Sequence, residues 1–318
     1  MEFLTVILIL ISLFIGWNIG ANDAANCMGP SVGAGILNYR KAAILVGVFA
    51  LIGAFLQGGN TIGTVGKEVV NPAMLSQLSI VCALFGAAIL VTFFTKKGIP
   101  VSTTQAIIGA LAGIGIINNI NVNWGIISKM FIAWVLTPLI AALFSFLAYH
   151  ALAYLFRNFR LEFLQKKLYL AVIGSGILLS YSMGANNIGN AMGMVVSTKT
   201  LSIMAASLIG GIFLALGSIS FGKNVMKTVG KKITELDSRM AFSVQSGSAI
   251  TLYILTMLAI PVSTSTAVVG GVAGVGLVKG VAAVNKSQVF RIIQSWFFTP
   301  IAGGVFAIII FKLASLIL

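Results

Sequence analysis

Charge is what this sequence has least of. Asp, Glu, Lys and Arg together make up 8% of its 318 residues, against about 25% in soluble domains. With 58% hydrophobic residues and a mean hydropathy of +1.06, the chain cannot dress a soluble surface, and the soluble globular class is excluded. Acids are rarest of all, 6 against 20 Lys+Arg. Glu2 sits at the terminus, Glu68 beside Lys67, and Glu162, Glu235 and Asp237 in basic loops. Asp23 is left as the acid in an apolar stretch. An intramembrane protease needs paired acids or a Ser/His-type arrangement, and the lone His150 lies in a separate long apolar segment, so an enzyme is excluded. Cys27 and Cys82 also lie in apolar segments and give neither a disulfide framework nor a metal site.

What is present is apolar length. Runs near or above the ~20 residues that cross a bilayer recur from end to end. They are continuous instead of alternating, which excludes a membrane β-barrel. The opening run FLTVILILISLFIGW lacks a basic n-region and is followed by further runs, so it reads as a retained span and not as a cleaved signal. The chain is an all-α polytopic membrane protein, multi-pass in the cell membrane.

The sequence repeats itself. GANDAANCMG at 20 matches GANNIGNAMG at 184, and TVGK at 64 recurs at 228. PVSTTQAIIGALAGIG at 100 matches PVSTSTAVVGGVAGVG at 261, and WVLTP at 134 matches WFFTP at 296. Four landmarks in one order define two homologous halves, 1–160 and 161–318. Each half divides into five apolar segments, roughly 2–37, 42–60, 72–95, 99–118 and 124–156, then 168–197, 200–221, 239–259, 261–278 and 287–317.

An odd number of crossings turns the second half upside down, and the basic residues test this independently. With both termini extracytoplasmic, Lys67 and Lys199 fall outside, and Lys129 and Lys312 lie in or near the long last segments. Every other Lys and Arg falls inside. The net charge of +14 therefore marks topology and implies no nucleic-acid partner. The expectation is two inverted-topology repeats of five to six helical segments with broken or re-entrant helices. Breaks are expected at the Gly-rich motifs and at Thr137-Pro138 and Thr299-Pro300, because proline interrupts helices; ten and twelve helical pieces both satisfy the parity.

Inverted repeats with interrupted helices are the architecture of many secondary transporters, with sites near the midplane. In GANDAANCMG the glycines permit unwinding, although Gly20, Gly29, Gly33 and Gly35 taken alone favour close helix packing, and the oxygens of Asn22, Asp23 and Asn26 suit freed backbone groups or a hard cation such as sodium. A carboxylate inside a bilayer costs about 2.5–3.5 kcal/mol on insertion scales. With no basic residue in the matching apolar stretches, the partner expected for Asp23 is a bound cation or a proton. PVSTTQ and PVSTST read as helix starts, with Ser102 and Ser263 as N-caps. A helix N-terminus inside a bilayer suits an oxyanion, and two of them related by inverted symmetry would grip a small tetrahedral anion from opposite sides.

The paired GANDxAN-type and PVSTT-type motifs resemble those of the inorganic phosphate transporter family (PiT), sodium- or proton-coupled symporters, over essentially the whole chain. The resemblance implies a transport domain holding both motif pairs, a scaffold of the remaining helices, and a homodimer. It implies phosphate binding by Asp23, Ser102, Thr103, Thr104, Asn187, Ser263, Thr264 and Ser265. It implies a cation, sodium favoured over a proton, at Asn22, Asp23, Asn26, Asn186 and Asn190, with no other cofactor. The chain departs from the family pattern where Asn187 replaces an aspartate and Gly189 an alanine, and the hydrophilic domain many members insert between the halves is reduced to RNFRLEFLQKK. A branch resembling sulfate permeases shares the scaffold, and a passive anion channel is a further alternative. Asp23 tips the expectation to phosphate, which near neutral pH carries a proton to donate to a carboxylate, as sulfate does not.

Overall fold

A computed structural model of the chain describes residues 3–62, 69–156, 161–280 and 283–316. Its helices are α1 (Phe3–Gly33), α2 (Tyr39–Gln57), α3 (Gln77–Lys96), α4 (Thr103–Ile117), α5 (Trp124–Phe156), α6 (Leu161–Ser197), α7 (Ile203–Ser220), α8 (Lys223–Lys231), α9 (Ser238–Met257), α10 (Thr264–Gly276) and α11 (Lys286–Ala314). Eight of them, α1–α3, α5–α7, α9 and α11, are long and apolar enough to cross a membrane, while α4 and α10 are apolar but shorter. Among the described residues this gives five apolar helices to each half.

Both halves use the same local devices. Side chains cap equivalent helices in pairs: Asn38 and Ser202 for α2 and α7, Ser76 and Asp237 for α3 and α9, Ser102 and Ser263 for α4 and α10. Asn123 and Asn285 likewise accept the third N–H of α5 and α11. The positive-φ residues of the described chain also pair, as Gly35 with Lys199, Gly98 with Ala259, and Asn119 with Gly280.

The packing interlocks the halves. α1 packs on α7 as α6 packs on α2; α5 lies along α9 and α10, and α11 along α3 and α4. Contact is close enough to require bare backbone. A Cβ at Gly20 would overlap the Leu214 carbonyl, and one at its counterpart Gly184 the Ala50 carbonyl. Gly109 and Gly270 meet the carbonyls of Pro300 and Pro138 in the same paired way. Small residues at such crossings are how membrane helices gain packing energy. Side chains left exposed, such as Leu139, Phe298 and Ile301, form an apolar exterior suited to lipid.

Two expectations are corrected. The GANDAANCMG and GANNIGNAMG motifs are not unwound: α1 and α6 run through them without a break. The Thr-Pro pairs do not end helices either, since Pro138 and Pro300 lie inside α5 and α11. The Thr137 hydroxyl donates to the Ala133 carbonyl and Thr299 to Ser295, each one residue before the carbonyl, Trp134 or Trp296, whose amide donor the proline removes. The interruptions lie instead at 97–102 and 258–263, the non-helical turns that lead into α4 and α10. The TVGK landmark at 228 falls in α8; its copy at 64 lies outside the described residues.

Replacing Gly184 with Val should lower the thermal midpoint of the detergent-solubilised protein, by overpacking worth about 1–3 kcal/mol. Gly174→Ala, at a helical position with open space around it, should leave the midpoint unchanged or raise it. Equal midpoints for Gly184→Val and the parent would contradict the close crossing of α6 with α2.

Candidate functional site

Four elements bring the sequence-predicted residues together: α1 with Asn22, Asp23 and Asn26, α6 with Asn186, Asn187 and Asn190, and the starts of α4 and α10. None of the twelve is more than 2% exposed, so the cluster is closed to solvent. Because the helices are continuous, the i, i+4 spacing stacks Asn22 over Asn26 and Asn186 over Asn190 on one face.

Asn22 and Asn186 hold the irregular chain ahead of the short helices. Asn22 Nδ2 donates to Thr95 Oγ1 (2.8 Å) and the Ile99 carbonyl (3.2 Å), while its Oδ1 accepts from Val101 N (3.2 Å). In the other half Asn186 Nδ2 donates to Thr256 Oγ1 (2.7 Å) and its Oδ1 accepts from Val262 N (3.2 Å). Sequence reasoning gave these two amides to a cation; the structure shows them occupied with backbone and threonine. It also missed Thr95 and Thr256, whose spacing equals that of the two PVST motifs, a signal that could have found them.

The next pair ties one half to the other. Asn26 Nδ2 on α1 donates to Ser265 Oγ on α10 (2.8 Å), and Asn190 Nδ2 on α6 donates to Thr104 Oγ1 on α4 (2.7 Å). Asp23 and Asn187 occupy equivalent positions with different chemistry. Asp23 Oδ1 lies 2.9 Å from the Ser265 hydroxyl, which has the Val101 carbonyl as an alternative acceptor at 2.9 Å. Asn187 Nδ2 donates to Thr264 Oγ1 (2.8 Å), and its Oδ1 accepts from Asn190 (3.1 Å). Among the described residues the one ion pair joins Lys279 to Asp237, so no basic side chain neutralises Asp23.

At the helix starts, Ser102 Oγ accepts from Gln105 N (3.2 Å) and Ser263 Oγ from Thr266 N (3.3 Å), bearing out both as N-caps. The first intrahelical bonds run from Ala106 to Ser102 and from Ala267 to Ser263. The N–H groups of Thr103, Thr104, Thr264 and Ser265 therefore precede the helical ladder and point from its positive end. Acceptors are left over too. Asn26 Oδ1 and Asn190 Oδ1 are buried with no hydrogen-bond partner, a costly state for an amide oxygen. Neutral amide oxygens beside one carboxylate are the ligand set of a hard cation, so the residues fit a sodium ion. No cluster of three or more His, Cys, Asp or Glu exists among the described residues, so a transition-metal site has no support.

The model of the phosphate transporter family matches residues 19–173 and 162–307. The chain belongs to that family. Its members are membrane transporters, and the enzyme class is excluded on this ground as on the sequence. A relative from Pyrococcus horikoshii named "Putative phosphate permease" is 32% identical over 97% of this chain and 98% of its own. A sulfate permease from Bacillus subtilis is 33% identical over 92% of this chain and 83% of its own. A solved sodium-dependent phosphate transporter superposes with a TM-score of 0.91 at 25% identity, covering 100% of both chains.

Asn22→Ala and Asn186→Ala should each destabilise the solubilised protein by about 1–3 kcal/mol, because each strands a buried backbone N–H. The two losses should be similar, as the bonds are. Thermal unfolding of the two variants checks this, and an unchanged midpoint for either would remove that amide from its holding role.

Proposed function

We propose that the chain imports inorganic phosphate across the cell membrane by cation symport, with sodium as the coupling ion, in an alternating-access cycle. Phosphate sits between the N-termini of α4 and α10, taking hydrogen bonds from the N–H and hydroxyl groups of Thr103, Thr104, Thr264 and Ser265, with Asn187 alongside. Sodium sits with Asp23, Asn26 and Asn190. Asn22 and Asn186 hold the two turns in place. The repeats are inverted, both termini lie outside, and the working unit is a homodimer.

The observation that carries this reading is a carboxylate with no basic partner beside two buried helix N-termini. Two unit charges of like sign 4 Å apart repel by about 4 kcal/mol at an effective dielectric constant of 20. That is close to a thousandfold in affinity, so an anion enters only when a cation or proton has neutralised Asp23. Coupling follows from the electrostatics and needs no further device. The paired caps, paired positive-φ residues and paired packing support the repeat, and the placement of Lys and Arg supports its inversion.

The sulfate permease among the relatives favours a second reading, sulfate as the transported anion. Purified protein in liposomes, given labelled phosphate under imposed sodium or proton gradients with sulfate as competitor, separates the two. An inward sodium gradient should drive phosphate above its equilibrium level, with little competition from equimolar sulfate. Asp23→Asn should reduce that uptake to background while the protein stays folded in the membrane. Uptake that ignores both gradients would reveal a passive channel, and undiminished uptake by Asp23→Asn would remove the carboxylate from the mechanism.

A further inference from the structure

One amphipathic element takes no part in the site. α8 turns Val225, Met226 and Val229 inward, none more than 2% exposed, and leaves Lys223, Lys227 and Lys231 exposed. The i, i+4, i+8 spacing puts the three ammonium groups on one face, where like charges destabilise a helix. Among the described residues none of the three is in an ion pair. They line a cavity of about 170 Å³ together with Val32, Tyr39 and Met226. At the corresponding positions of the first half the sequence has Gly59, Gly63 and Lys67, so two of the three lysines belong to this copy alone.

The location narrows the ligand. Val32 lies in the last turn of α1 and Tyr39 opens α2, so the cavity sits where two membrane-crossing helices end. Its floor is apolar and its rim cationic. A free anion would find no polar floor there, whereas an amphiphile meets ammonium groups at its head and hydrocarbon beneath. We propose that this cavity binds the phosphate-bearing headgroup of an anionic phospholipid. The phosphodiester lies between the three ammonium groups, and the glycerol end rests on Val32, Met226 and the aliphatic lysine stems. The bound lipid bears on the transport core through two contacts of α8. Gly230 meets Gly33 of α1 backbone to backbone, and Asn224 Nδ2 donates to the carbonyl of Lys96 (3.5 Å), the last residue of α3 before the turn that leads to α4.

The test uses the purified full-length protein in detergent, with dioctanoyl phosphatidylglycerol, dioctanoyl phosphatidylcholine and inorganic phosphate as probes. Thermal midpoint and displacement of a spin-labelled phosphatidylglycerol are read. Phosphatidylglycerol should raise the midpoint saturably and displace the label; phosphatidylcholine should do neither, and equimolar inorganic phosphate, whatever it does to the midpoint through the transport site, should not displace the label. Each lysine near the surface contributes about fivefold, so the combined variant Lys223→Gln, Lys227→Gln, Lys231→Gln should bind on the order of a hundredfold more weakly. The control Lys166→Gln, Lys286→Gln, Arg291→Gln, of equal charge loss, should change binding less than fivefold. Should the first triple variant not fold, Lys227→Gln alone is expected to lose about fivefold. Parental affinity in the α8 variants, equal losses in the two triple variants, or displacement by inorganic phosphate would each overturn the proposal.

Discussion

Irregular backbone in an apolar layer has no water to turn to, so each of its polar groups must be answered from within the protein. Everything distinctive here depends on how two asparagines meet that constraint. Asn22 and Asn186 each hydrogen-bond the extended chain just before a PVST helix and anchor themselves to a threonine of the preceding helix. With the turns held, α4 and α10 start inside the bundle instead of at its surface. Their free N–H groups then become ligands-in-waiting for an anion, where unsupported turns would only be a defect.

The paired motifs would by themselves give a symmetric cluster, and the cluster departs from that symmetry in charge at one position. Asp23 and Asn187 are the same position in two copies, one charged and one neutral. In the proposed symport a single carboxylate provides one point at which cation and anion meet, where a second would call for a second cation. Asn26 and Asn190 keep the symmetric role, each crossing to the opposite half's helix start and each leaving an oxygen unpartnered. Because these bonds join α1 to α10 and α6 to α4, a shift of either half against the other strains the site directly.

Much of this was legible in the sequence because the repeat made chance improbable. The apolar runs gave the membrane class, and the doubled motifs gave the candidate residues that the structure gathers into one cluster. The N-caps at Ser102 and Ser263 followed from Ser/Thr chemistry after a proline. The errors share one cause. A break was expected from glycine and proline propensity, yet in a crowded bundle the glycines of α1 and α6 serve close approach to α7 and α2, the packing reading that the glycines alone favoured, and α5 and α11 run on through Pro138 and Pro300. Tertiary packing decided whether those helices broke. For Asn22 the sequence left a backbone partner and a cation both open, because an asparagine in an apolar run looks the same whether its partner is an ion or a peptide group; the structure shows the backbone partner for Asn22 and for Asn186.

The central claim is that one anion sits between the two PVST helix starts, and locating that anion tests it most directly. Crystals grown with arsenate, a tetrahedral analogue with anomalous scattering, should show a single strong peak within hydrogen-bond distance of the Thr103–Thr104 and Thr264–Ser265 N–H groups. A peak bound to only one of the two helix starts, or one seated elsewhere in the bundle, would contradict the account.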